Sequence, residues 1–186
     1  MKQTDRVRSY SDPLAPDEDV RVRDQWISNS TYAEMVEKSI IPCTDSVLIV
    51  ANDQALYLGK RNAYPMKGVW CLGGRIFFND RTMEESVARC VELETGLRIK
   101  TDRFIYVCTN HYSWVKVAQG DFYGKNLAAT YVCEVTKEEL EKMAHGLSEK
   151  EYDREFGLQR FDRQRLIDEH VHQAMIDVYD DLFQVK

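Results

Sequence analysis

The sequence predicts an α+β fold, a mixed β-sheet with helices packed on its faces. Three observations predict it. Short apolar runs come in pairs near the start and again in the middle of the chain. One clear amphipathic helix separates the two groups of strands, and further helices close the chain. Strands and helices do not alternate one for one, so a doubly wound dinucleotide fold is a poor fit.

The elements follow in order. Residues 1–25 are polar and densely charged, with Pro13 and Pro16, and read as a flexible N-terminal arm; 26–186 read as a single domain. Ser30-Thr31 precede Tyr32 to Lys38, a capped short helix that Pro42 is expected to end. Ser46 to Ala51 is a buried strand, Asn52-Asp53 a turn, and Ala55 to Leu58 the returning strand. A polar loop from Gly59 to Gly68 leads into a short strand, Val69 to Leu72, and then Gly73-Gly74. From Thr82 to Thr95, Met83, Val87, Cys90 and Val91 recur at helical spacing, with Thr82 as N-cap and Gly96 as the stop. Phe104 to Cys108 and Ala129 to Val135 read as strands, and Lys137 to Ala144 as a helix. Residues 145–160 read as a charged loop, and Gln164 to Asp168 and His170 to Phe183 as terminal helices.

Composition narrows the function. The net charge of −6 disfavours nucleic acid as the main partner. No apolar run reaches the length of a membrane span, and the N-terminus has no apolar signal core. The five cysteines are scattered through apolar runs, the pattern of reduced core thiols in a cytoplasmic protein.

The stretch that carries chemistry is Gly73-Gly-Arg-Ile-Phe-Phe-Asn-Asp-Arg-Thr-Met-Glu-Glu-Ser-Val-Ala-Arg-Cys-Val-Glu-Leu-Glu-Thr-Gly-Leu97. A glycine pair ends a strand and lets a backbone carbonyl approach a ligand closely. An acidic helix follows. A helix carboxylate meeting that carbonyl at one hard cation suits Mg²⁺ or Mn²⁺, which would hold diphosphate oxygens.

This stretch resembles the Nudix box, G-x5-E-x7-R-E-U-x-E-E-x-G-U. Gly74, Arg89, Val91, Glu94, Gly96 and Leu97 match it. The spacing from Gly74 to Arg89 is one residue longer than the box. The first glutamate falls on Asp80 or Arg81, and Cys90 and Leu93 replace two others. A depleted box is a feature of the GDP-mannose mannosyl hydrolase branch, and the resemblance to that branch runs from about Tyr32 to Phe183. It includes the opening helix and strand, Asp45, Gly59-Lys-Arg61, Gly73-Gly-Arg75 and Ala129-Thr-Tyr-Val132.

The resemblance implies a Nudix α/β/α sandwich, a homodimer, and Mg²⁺ or Mn²⁺ held at Gly73, Glu94 and Glu155. It implies that Arg61 and Arg75 grip the diphosphate of a nucleoside-diphosphate sugar. Water would attack the anomeric carbon, releasing sugar and nucleoside diphosphate. The branch's base is a histidine; the matching segment, Glu151 to Phe161, has none, and Glu155 stands closest, with Asp153 next. Asp45 would balance charge on the sugar or leaving group, although a strand-start turn explains it equally well. Glu155 reads equally well as a surface carboxylate. His111 and Tyr112 read as loop or core residues, with the lining of a sugar pocket as the alternative. Arg89 reads as structural, tied to Glu85 or orienting Glu94. Trp70 and Trp114 read as core, pocket wall or a base-stacking surface. Glu84, Glu85 and Glu92 read as a solvated face, and His170 and His172 as exposed on a terminal helix.

Three functions follow, in order of support. The first is a nucleotide-sugar hydrolase acting at carbon. The second is a Nudix diphosphohydrolase cutting a P–O bond. The third is a non-catalytic Nudix-like binding module, which Cys90 and Leu93 favour.

Overall fold

The computed structural model describes residues 28–116 and 123–184; the expected N-terminal arm, 1–25, lies outside the described residues. The elements are α1 (Asn29–Lys38), β1 (Ile40–Val50), β2 (Leu56–Arg61), β3 (Gly68–Trp70), β4 (Leu72–Arg75), α2 (Met83–Thr95), β5 (Phe104–Trp114), β6 (Gly124–Val135), α3 (Lys137–Gly146), β7 (Leu158–Phe161), α4 (Arg163–Asp168) and α5 (Gln173–Phe183). The sheet is mixed. β1 runs parallel to β6 along its whole length and antiparallel to β2 and β4; β5 pairs with β6, and β3 and β7 with β2. The expected α+β layering is the fold observed.

β1 organises the molecule because both of its faces are buried. Val47 and Leu48 are adjacent in sequence, both fully buried, and belong to opposite cores. This follows from the period-two alternation of a strand. One core is closed by α2 and α3 through Val87, Val91 and Met143. The other is closed by α1, α4 and α5 through Val36, Leu166 and Met175. α2 begins as its residue types require: the Thr82 side chain accepts the Glu85 N–H, and Gly96 ends the helix in the left-handed region.

Several boundaries differ from the sequence reading. The α1 N-cap is Ser28, and the helix ends at Ser39. Pro42 stands inside β1, where its carbonyl accepts the Ile76 N–H; a proline is tolerated near a strand start. β5 runs on to Trp114 because polar Thr109, His111 and Ser113 fall on its exposed face and break no buried surface. β7 was hidden in a charged segment and has only four residues; Gly157, at φ 66°, turns the chain into it. His172 is the N-cap of α5, its Nδ1 accepting the Ala174 N–H.

Leu48→Ala empties space at the centre of the sheet. It should cost about 2–5 kcal/mol, read as a lower urea midpoint with an unchanged slope. A loss below about 1 kcal/mol would show that this core collapses around the gap.

Candidate functional site

Antiparallel pairing of β1 with β4 sets Asp45 directly opposite Gly73. The strand pair closes so tightly that any Cβ at Gly73 would stand 2.5 Å from the Thr44 carbonyl oxygen and 2.6 Å from Asp45 Oδ1. Only glycine fits there. On its other side, the Gly73 N–H donates to Glu94 Oε2 of α2 at 2.9 Å. Gly73 therefore sits between two carboxyl groups, one from the sheet and one from the helix.

Both carboxyls are buried, and burial raises the pH at which each gives up its proton. Burial pushes Asp45 up to about 7, against the pull of Arg61 and Tyr112. Burial likewise pushes Glu94 up to about 8, opposed by the Gly73 N–H, Arg61 and the Tyr152 hydroxyl. The Tyr152 hydroxyl lies 3.2 Å from Glu94 Oε2 and 3.1 Å from the Cys71 carbonyl. Nothing in the sequence marked Tyr152, which falls in the segment read as loop. Its side chain is fully buried against the end of β2, where a backbone bridge joins it to Arg61.

Arg61 is the buried cation facing this pair. Its guanidinium donates to Glu151 at 2.7 Å, and its Nε is buried without a partner. Arg75 is held differently. Its guanidinium lies 4.3 Å from the Tyr32 ring of α1 and 4.9 Å from the Phe77 ring, with no carboxylate partner among the described residues. Stacking positions the charge without neutralising it. Arg89 is structural: it grips Asp80 at 2.7 and 2.8 Å and donates to the Arg75 carbonyl at 3.0 Å. Its partner is Asp80, from the loop between β4 and α2, in place of the expected Glu85 or Glu94. Burial raises Asp80, and Arg89 more than reverses this, leaving its carboxyl below the ordinary range.

These groups open on one cleft of about 420 Å³. Asp45, Arg61, Gly73, Arg75, Glu94 and Tyr112 all line it, with Trp70 and Trp114 as its aromatic wall and Glu151 at its rim. Cys90 and Leu93, the box positions that carry no carboxylate, also face it. Two expected residues do not. Glu155 is exposed, capped into a turn on Asp153, and does not line the cleft; Glu151, four residues earlier, takes that place. His111 is exposed because it alternates with Tyr112 along β5 and faces the other way. Glu84 and Glu85 are partly buried, Glu84 accepting from the Tyr131 hydroxyl at 3.4 Å, whereas Glu92 is exposed. His172 is exposed overall, yet its ring packs edge-on to Trp70 at 5.5 Å.

The expected cation centre at Gly73, Glu94 and Glu155 does not assemble. Glu155 lies away from the cleft, and Glu94 Oε2 is already taken by the Gly73 N–H and the Tyr152 hydroxyl. Among the described residues, no group of three His, Cys, Asp or Glu side chains converges as a metal site. The described protein side chains alone do not fit a Mg²⁺ or Mn²⁺ centre.

No protein-family model matches the sequence, and no curated protein does. Solved structures match in shape. The NUDIX domain of Shewanella oneidensis NrtR, complexed with ADP ribose, superposes with a TM-score of 0.54 at 16% identity, over 84% of this chain and 99% of that one. A mutT/nudix family protein from Listeria innocua gives 0.51 at 19% identity, over 77% and 92%. NrtR complexed with a 27mer DNA gives 0.52 at 18% identity over 76% of this chain, which spans 61% of that longer one. The chain thus has the Nudix fold, an α/β/α sandwich on a mixed sheet. No helix among the described residues is long and apolar enough to cross a membrane.

A carboxyl raised on folding holds its proton more tightly in the native than in the unfolded state. Its stabilising effect is complete below the unfolded value and is lost as pH rises through the folded one. For Glu94 that window runs from about 4.5 to about 8. Native stability of the cation-free protein should fall across it, and Glu94→Gln should flatten the fall. Urea unfolding at several pH values checks this, and an unchanged slope in the variant would remove Glu94 as its source.

Proposed function

We propose that the protein is a Nudix-fold hydrolase of a nucleoside-diphosphate sugar, of the GDP-mannose class, releasing free sugar and nucleoside diphosphate. The observation that carries this reading is the convergence of Arg61 and Arg75 on one cleft with a buried, partly unpaired carboxyl, Asp45. Two guanidiniums suit a diphosphate, whose oxygens they can hold in planar, paired contacts. The ADP ribose bound by the NrtR NUDIX domain is likewise a nucleoside diphosphate carrying a sugar, joined through C5 of its ribose and not through the anomeric carbon.

The chemistry divides between these residues. Water attacks the anomeric carbon as the bond from that carbon to the phosphate oxygen breaks. The electron pair leaves on the nucleoside diphosphate, and the arginines take up its charge. The proton from water passes to a carboxylate on the far side of the sugar. Asp45 is the better base on position: it lines the cleft and its Oδ2 has no hydrogen-bond partner, whereas Glu155 lies elsewhere. Near neutral pH Asp45 populates both protonation states, which is what a base that must also release its proton requires.

A second reading, nucleotide-sugar binding without turnover, is favoured by one observation: Cys90 and Leu93 face the cleft where the box supplies carboxylates.

The test is an assay with GDP-mannose, GDP-glucose, a UDP-sugar and ADP-ribose, in EDTA and in Mg²⁺, with products resolved by mass. Free sugar plus nucleoside diphosphate is expected, and Arg75→Ala should lower kcat/KM by about 100-fold or more. Nucleoside monophosphate would replace carbon attack by P–O cleavage. Binding without products would establish the second reading. Turnover in Mg²⁺ alone would show that substrate oxygens complete a centre that the protein donors do not form.

A further inference from the structure

Five buried side-chain polar atoms make no hydrogen bond of good geometry among the described residues: Asp45 Oδ2, Ser46 Oγ, Arg61 Nε, Tyr112 Oη and Trp114 Nε1, although the Tyr112 hydroxyl stands near enough to Asp45 to lower its carboxyl. All but Ser46 belong to residues lining the same cleft. An unpaired buried donor or acceptor forfeits its hydration without recompense, and folded proteins rarely leave several together. Their concentration on one floor marks a surface built for a polar partner.

The chemistry of these atoms narrows what that partner is. Arg61 Nε and Trp114 Nε1 only donate, whereas the Tyr112 hydroxyl both donates and accepts. An aromatic base stacked on this wall would leave all of these needs unmet. The wall also has little ring face to offer. Trp70 is 4% exposed and is enclosed edge-on by Tyr112, Trp114 and His172 at 5.6, 6.1 and 5.5 Å. Tyr112 and Trp114 stack on each other at 5.0 Å. With the rings spent on one another, recognition falls to their polar edges. Tyr112 and Trp114 are two residues apart on β5 and so share its cleft face.

We infer that Tyr112 and Trp114 form the sugar subsite, reading neighbouring hydroxyls of the sugar through the tyrosine hydroxyl and the indole N–H. This rests on the nucleotide-sugar reading above and assigns the end of the substrate each part of the cleft holds. The diphosphate lies by Arg61 and Arg75, and the sugar lies on the β5 floor. The four atoms are covered in the ligand-free packing, so the sugar gains these contacts only as side chains part to admit it.

The test measures binding by calorimetry. The probe is whichever of GDP-mannose, UDP-glucose and ADP-ribose binds best, beside its parent diphosphate, GDP, UDP or ADP. Trp114→Phe keeps the stack on Tyr112 and deletes only the N–H; Tyr112→Phe deletes only the hydroxyl. Each should weaken the sugar nucleotide about tenfold and leave the parent diphosphate unchanged. Equal weakening of both ligands would overturn the subsite while leaving the cleft reading intact, as would unchanged affinity for both, which would mean that water alone satisfies the floor. Binding of none of the three by the wild type would overturn the nucleotide-sugar reading and the subsite with it. Retained diphosphate affinity shows that each variant is folded.

Discussion

The structure depends on the close approach of β1 and β4 at Asp45 and Gly73. A strand pair can bring a backbone this near a carboxyl only where no Cβ intervenes. That contact sets the floor of the cleft. It also fixes the Gly73 N–H toward α2, so the helix carboxyl of Glu94 is oriented by the sheet and not by its own helix. Tyr152 completes the arrangement from the far end of β2. Sheet, helix and a late loop are thus tied at one point by three hydrogen-bonding groups, with Arg61 supplying the nearby charge.

The electrostatics follow from that closure. Two buried carboxyls and the rim carboxylate of Glu151 face a single buried guanidinium. Three ionised carboxylates against one cation in a water-poor cleft would be costly, so the two deepest keep their protons at the lower end of the neutral range. Arg75 stands apart from this balance because aromatic rings, not carboxylates, hold it. It presents uncompensated charge to an incoming diphosphate, whereas Arg61 must share or exchange Glu151 to do so.

Much of this was legible in the residues. The α2 helix and its caps are local signals, legible because periodicity and capping need no tertiary context, whereas the glycine pair, expected to end a strand, lies inside β4. Asp45, Arg61, Gly73, Arg75, Glu94 and Tyr112, named from the resemblance and from spacing, do share one cleft. The rest needed three dimensions. Strand alternation sends His111 outward while Tyr112 turns in, and a two-residue motif cannot say which. In the 145–160 segment, Glu151 and Glu155 differ only by which side of a turn they fall on, and that turn is set by pairing with β2. Tyr152 carries no sequence signal at all; its importance lies wholly in where its hydroxyl ends.

The replaced box positions alter the logic of the cleft. With carboxylates at Cys90 and Leu93, a cation would be required to offset their mutual repulsion before any polyphosphate could approach. With a thiol and an apolar side chain there, that repulsion is gone, and Arg61 and Arg75 line the cleft without carboxylates at those two positions. What remains of acid–base capacity is Asp45, placed beside the floor where the unpaired tyrosine and tryptophan atoms lie. On the proposed reading, a site that holds phosphate by arginine and keeps its carboxyl near the sugar is disposed toward chemistry at carbon.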